Sequence, residues 1–295
     1  MQSADFLSAV FFYLKEGENL NQNWIVENLN NAFSTWNGKL GELWGLVTTG
    51  PQTFKGGAVW SVMQTLHNGM VGIGYALVVL FFAISLCKNT MNFHELKRPE
   101  AAIHYLIRFV AAKALVGYGM DIMLNVFSIC NGIVTDMADS MGGISEAMVS
   151  LPAEMQTAIE NVGFLASIPL WLVTILGSLF ITVLSFVMIL TVYGRFFRLY
   201  MYTALAPLPL AAFAGESTQS VGISFLKSYV SVCLEGAVIV LACVIYSAFV
   251  GTPTVTGGEA TTIVWSYLAE TVFNMLVLVG LIKGSDRIIH EMMGL

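Results

Sequence analysis

Charge is what this chain has least of. Asp, Glu, Lys and Arg make up 11% of its 295 residues, against about 25% in an average soluble domain. None of the four occurs in 56–87 or in 161–194. Three further runs carry a single acid each: 114–135 (Asp121), 228–258 (Glu235) and 260–282 (Glu270). Every one of these runs is long enough to cross a hydrocarbon core of roughly 30 Å, which takes about 20 helical residues. A soluble helical protein would need charged faces at helical period, and the runs have none. The shortage of charge therefore excludes a soluble fold.

Other absences narrow the function. No GxxxxGK[ST] occurs, so nucleotide hydrolysis by this chain is not expected. His67, His94, His104 and His290 are scattered, without HxxxH or HExxH spacing. Cys87, Cys130, Cys233 and Cys243 lie in or at the ends of apolar runs, without metal-ligand spacing, and read as small buried hydrophobes. The N-terminal MQSADFLSAVFFYLKEGE lacks a basic segment before its apolar stretch and makes a poor signal peptide. The glycines of GMVGIGY follow no strand, and read as sites of close helix packing rather than a phosphate loop. A net charge of −6 gives no global attraction to nucleic acid. No catalytic, cofactor or metal site is expected.

What remains is an all-α, polytopic membrane protein. An extracytoplasmic amphipathic helical region is expected over 1–60, the transmembrane domain over 61–283 and a cytoplasmic tail over 284–295. Ile25, Leu29, Phe33, Trp36, Leu40, Leu43 and Val47 follow in steps of three or four, on one helical face. Such a helix lies on the membrane, with Trp36 and Trp44 at headgroup level, packs against a partner, or docks on its own protein. Five spans are expected at about 64–87, 103–130, 166–194, 228–250 and 263–282. Between the third and fourth lies GRFFRLYMYTALAPLPLAAFAGESTQSVGISFLKS. Its charge-free heart, 199–215, is at the lower limit for a span and is interrupted by Pro207 and Pro209.

Charge placement decides how that segment sits, because Lys and Arg near span ends stay cytoplasmic. If 199–226 dips in and returns, the N-terminus is outside and the C-terminus inside. Lys88, Lys97, Arg98, Arg108, Lys113, Arg195, Arg198, Lys227, Lys283 and Arg287 then share the cytoplasmic side. Only Lys15, Lys39 and Lys55 remain outside. A full crossing destroys that bias, so a re-entrant hairpin with its turn at Pro207 and Pro209 is expected. Broken backbone at membrane depth needs shelter, from a large bundle or an oligomer.

Ionisable residues at depth cost about 2.5–3.5 kcal/mol on insertion scales, and pair or line a polar path. Lys113 and Glu235 both count to roughly 12–14 Å from the cytoplasmic ends of their spans, a depth that allows an ion pair. Asp121 and Glu270 fall in the outer half without a base at their level. They are polar contacts between helices, a solvated passage or a proton-coupled site. Lys97, Arg98, Arg195, Arg198 and Lys227 are the candidate bases of a cytoplasmic mouth. They contact DNA phosphates there or act only as topology determinants.

The segments GRFFRLYMYTALAPLPLAAFAGE and SVGISFLKSYVSVCLEGAVIVLACVIYS, with the earlier TTGPQTFKGGAVWSVMQTLHNGMVGIGYALVVLFF and KRPEAAIHYLIRFVAAKALVGYGMDIMLNVF, carry a resemblance. Over roughly 45–250 the chain resembles the polytopic TrbL-type subunit of conjugative type IV secretion systems, in the form found on Gram-positive mobile elements. The resemblance implies a non-enzymatic channel or scaffold subunit, without cofactor, in the cytoplasmic membrane and in its lipid. It implies assembly as a homo-oligomer with other secretion subunits and cytoplasmic ATPases, and transient contact with relaxase-bound single-stranded DNA. Two other readings stay open: a secondary transporter or ion channel using the intramembrane acids, and an assembly factor that never meets DNA.

Overall fold

The computed structural model describes residues 2–90, 99–140, 148–162, 164–249 and 260–295. Among them every regular element is helical: α1 (Gln2–Thr48), α2 (Ala58–Thr90), α3 (Pro99–Gly117), α4 (Gly119–Ser140), α5 (Ala153–Glu160), α6 (Phe164–Leu205), α7 (Pro207–Ala211), α8 (Gln219–Phe249) and α9 (Ala260–Met292). Single 3₁₀ turns stand before α2, at Phe54–Gly57, and after α7, at Ala212–Ala214. Four helical stretches are long and apolar enough to cross a membrane: Phe54–Lys88, Ser167–Leu205, Gln219–Ala248 and Thr262–Met292. The run expected as one span over 103–130 is two helices, α3 and α4, bent by 73°. Counted as one broken span, the pair makes a fifth.

Contacts divide the chain into two compact units. The first comprises Met1–Trp44, Met141–Thr191 and Ala242–Lys283. In it the apolar stripe of α1 is buried from Ile25 to Leu43, Trp36 included. The Phe33 ring meets Tyr267 of α9 edge-on at 6.4 Å, and the carbonyl of Asn28 accepts from the Ser178 hydroxyl of α6. The helix is thus docked on its own protein, and Trp36 is no headgroup anchor. Asn37 grips the extended segment before α5 with both ends of its amide: Nδ2 donates to the Val149 carbonyl at 2.8 Å and Oδ1 accepts the Val149 N–H at 2.9 Å.

The second unit comprises Gly45–Ser140, Val192–Leu241 and Gly284–Leu295. Its core joins Val78 of α2, Val116 of α3, Met123 and Phe127 of α4, Leu199 of α6, Leu210 of α7 and Tyr229 of α8. α2 buries only a narrow stripe, His67, Val78 and Ser85 among it. It exposes Val62, Leu66, Ile73, Val79, Leu80 and Ile84. A row of large exposed aliphatic side chains on a helix free of charge from 56 to 87 is a lipid-facing surface.

Candidate functional site

The end of α6 and the start of α8 form an antiparallel hairpin, and its side-chain pairs fix the register. Arg195 meets Val232 and Cys233, Arg198 meets Glu235, and the Tyr202 ring lies 5.6 Å from that of Phe225. A Cβ on Gly222 would fall 2.5 Å from the Phe213 ring. The hairpin reverses at Gly215–Thr218, closed by the Thr218 hydroxyl on the carbonyls of Ala212 and Gly215. The expected turn at Pro207 and Pro209 is corrected accordingly. Pro207 is the first residue of α7, after an Ala206 that is itself right-handed helical. Proline at that position continues a helix, because its missing N–H is not required there.

The prolines still leave a mark on the hydrogen bonds. Without an N–H at 207, the carbonyl of Thr203 loses its i+4 partner. His67 of α2 replaces it: its Nδ1 lies 2.7 Å from the Thr203 oxygen, with the imidazole buried. A carbonyl only accepts, so Nδ1 carries the proton. Close by, a Cβ on Gly74 would sit 3.0 Å from the Pro207 carbonyl and 2.9 Å from Val116 Cγ1. Of the glycines in GMVGIGY, Gly74 is where close packing is realised, whereas Gly69 and Gly72 have open space.

At the other end of the hairpin lies a cluster of charge. Arg195 is 1% exposed and donates to three backbone carbonyls: Nε to Val232 at 3.2 Å, Nη2 to Cys233 at 3.0 Å and Nη1 to Val47 at 3.3 Å. Gly236 makes this possible, since a Cβ there would stand 2.7 Å from Nη1. The last carbonyls of a helix lack intrahelical partners, and those of α1 are met one by one. Gly45 accepts from the Thr48 and Thr49 hydroxyls, Leu46 from the Thr49 N–H, Val47 from Arg195 and Thr48 from Asn131. A cation is also favoured at that helix terminus by the dipole.

One turn along α6, Arg198 Nη2 reaches both oxygens of the fully buried Glu235, at 2.8 and 2.7 Å. Its Nη1 pairs with Asp286 of α9. The Ser285 hydroxyl donates to Glu235 at 3.3 Å, and His290 approaches Asp286 at 3.4 Å. Two guanidinium and two carboxylate groups balance, as burial of charge requires. The segment expected as a polar tail from 284 is in fact the last turns of α9, and these complete the cluster.

Several expected assignments change. Glu235 pairs with Arg198, not with Lys113, which is exposed on α3. α6 does not stop at Arg195, so Arg198 stands on the same helix within reach of Glu235. It continues to Leu205 and carries both arginines inside a helix. Arg195 and Arg198 are therefore no open mouth: one is spent on carbonyls and the other on carboxylates. Lys227 is exposed, eight residues from Glu235 along α8, or about 12 Å. Lys97 and Arg98 lie outside the described residues. Arg108 shares no level with Arg195: it bonds Gln219 at 3.2 Å, thirteen residues or about 20 Å along α8 from Val232. Asp121 is exposed in the first turn of α4. Glu270 is exposed on α9, in the first unit. Sequence reasoning missed the roles of Asp286, Ser285, His67 and Gly236. Cys130 of α4 and Cys233 of α8 are both buried in the core of the second unit.

The carboxylates of the cluster are engaged by Arg198, Ser285 and His290. Among the described residues no group of three or more His, Cys, Asp or Glu could hold a metal. Its chemistry is that of a brace, tying the two arms of the hairpin to the ends of α1 and α9. Long apolar helices, a lipid-facing α2 and a braced hairpin define a multi-pass helical membrane protein. The chain belongs to the family described as TrbL/VirB6 plasmid conjugal transfer like protein, which it matches over residues 36–207. That match takes in Arg195, Arg198 and His67 and ends at Pro207. No curated protein matches the chain.

Proposed function

We propose that this protein is a non-enzymatic membrane subunit of a conjugative type IV secretion apparatus, seated in the cytoplasmic membrane. It helps move relaxase-bound single-stranded DNA across that membrane, in several copies, beside other secretion subunits and cytoplasmic ATPases. The observation that carries this reading is membership of the TrbL/VirB6 family over 36–207. The site refines it toward a scaffold of the channel. Arg195 and Arg198 are occupied within the protein, so phosphate contacts would fall to other bases, the exposed Lys227 among them. A proton-coupled transporter is disfavoured, because Glu235 is taken up by Arg198 and Ser285.

Deleting the gene from its mobile element and measuring mating frequency tests the proposal. Transfer falls below detection and returns with a plasmid-borne copy. Normal transfer in the deletion strain, with a defect in solute uptake instead, would overturn it.

A further inference from the structure

We infer that the second unit holds a phospholipid site, selective for a zwitterionic ethanolamine headgroup, between α3 and the turn that closes the hairpin. A cavity of about 540 Å³ opens there, within the range of small-molecule sites, about 300–1,000 Å³. Its lining is divided. His104, Arg108, Glu216 and Gln219 supply a polar end, and Leu115 and Phe213 belong to an apolar wall. The cavity sits where spans end: Gln219 opens one apolar stretch, and Arg108 lies five residues into another that begins at Ile103. Headgroups meet acyl chains at that level, and basic pockets between membrane helices bind lipid phosphates.

The chemistry of the polar end selects the headgroup. Arg108 has five N–H donors in a planar fork, and Gln219 takes one of them at 3.2 Å. A phosphodiester accepts the fork from two oxygens, with His104 beside it. Glu216 stands 4.0 Å from Arg108, and its exposed carboxylate has about four acceptor positions. It can therefore take an ammonium in addition to its present contacts. An ethanolamine phospholipid supplies both complements: phosphate for Arg108 and a primary ammonium for Glu216. A glycerol headgroup brings no positive charge, and choline has no N–H to donate. The lipid's apolar part follows Leu115 and Phe213.

The full-length protein, purified in detergent, is titrated with phosphatidylethanolamine, phosphatidylglycerol, phosphatidylcholine or inorganic phosphate, and read by native mass spectrometry and thermal unfolding. Phosphatidylethanolamine is retained and raises the midpoint most. Arg108→Ala weakens its retention at least tenfold, and Glu216→Gln removes the preference over phosphatidylglycerol while binding persists. Leu115→Trp fills the apolar end and blocks retention with Arg108 intact, and an unchanged far-ultraviolet helical signal shows that each variant is folded. Equal retention by wild type, Arg108→Ala and Leu115→Trp would overturn the site. So would a preference for phosphatidylglycerol, or a full thermal shift from inorganic phosphate alone.

Discussion

Arg195 Nη1 donates to the carbonyl oxygen of Val47 at 3.3 Å, so a buried guanidinium on α6 closes the C-terminal end of α1. The same group reaches two carbonyls of α8. One side chain thereby joins three helices through backbone atoms, and the space for it comes from a glycine. Gly236→Ala pushes a Cβ to 2.7 Å from Nη1 and should cost about 1–3 kcal/mol by overpacking. Arg195→Lys keeps the charge but loses the planar fork, and should lower stability by a similar amount. Thermal unfolding in detergent measures both. A neutral Gly236→Ala would mean that the guanidinium is not held where the structure puts it.

His67 and Pro207 are coupled through an atom belonging to neither, the carbonyl oxygen of Thr203. His67→Phe removes the donor, leaves a buried carbonyl unsatisfied and should cost about 1–3 kcal/mol. Pro207→Ala restores an N–H four residues beyond that carbonyl. In the double variant the penalty of His67→Phe should therefore shrink by about 1 kcal/mol or more. A double-mutant cycle checks this, and strict additivity would sever the link.

Cys130 and Cys233 are buried in one core, between α4 and α8, whereas Cys87 is exposed. A thiol alkylating reagent should modify Cys87 and spare Cys130 and Cys233 while the protein is folded. Differential alkylation followed by peptide mapping reads the outcome. Modification of Cys130 or Cys233 as fast as Cys87 would contradict their burial in the core.

Much of the architecture was legible because it is written in spacing and in missing charge. Steps of three and four from Ile25 to Val47 marked the buried face of α1, and every residue of that stripe is buried. The charge-free runs 56–87 and 161–194 marked α2 and α6. Pro207 does not reverse the chain, because proline at the first position of a helix extends it. The bend between α3 and α4 falls at Gly117-Tyr118-Gly119, where two poor helix formers outweigh the apolar continuity of the run.

The charge cluster was the least legible part. A base closing an apolar run looks the same whether a loop follows or the helix continues, so Arg195 and Arg198 read as flanks. Val47, Val232 and Cys233 receive Arg195 through carbonyl oxygens, and a backbone acceptor leaves no signature in residue type. One signal was available. Arg195 and Arg198, three apart, share a helix face, and across the hairpin stands Glu235, the only acid in 228–258.

Arg198 and Glu235 brace the hairpin between α6 and α8 in this member of a conjugal transfer family. Breaking a buried pair by removing one partner costs about 3–5 kcal/mol, more than a marginally stable hairpin tolerates. The most direct measurement is mating frequency with Arg198→Glu, Glu235→Arg and the double exchange, each supplied to the deletion strain and normalised to protein in the membrane. Both single exchanges should abolish transfer, and the double should recover at least a tenth of the wild-type frequency once Asp286→Asn removes the second carboxylate that Arg198 meets. Normal transfer with either single exchange would contradict the account.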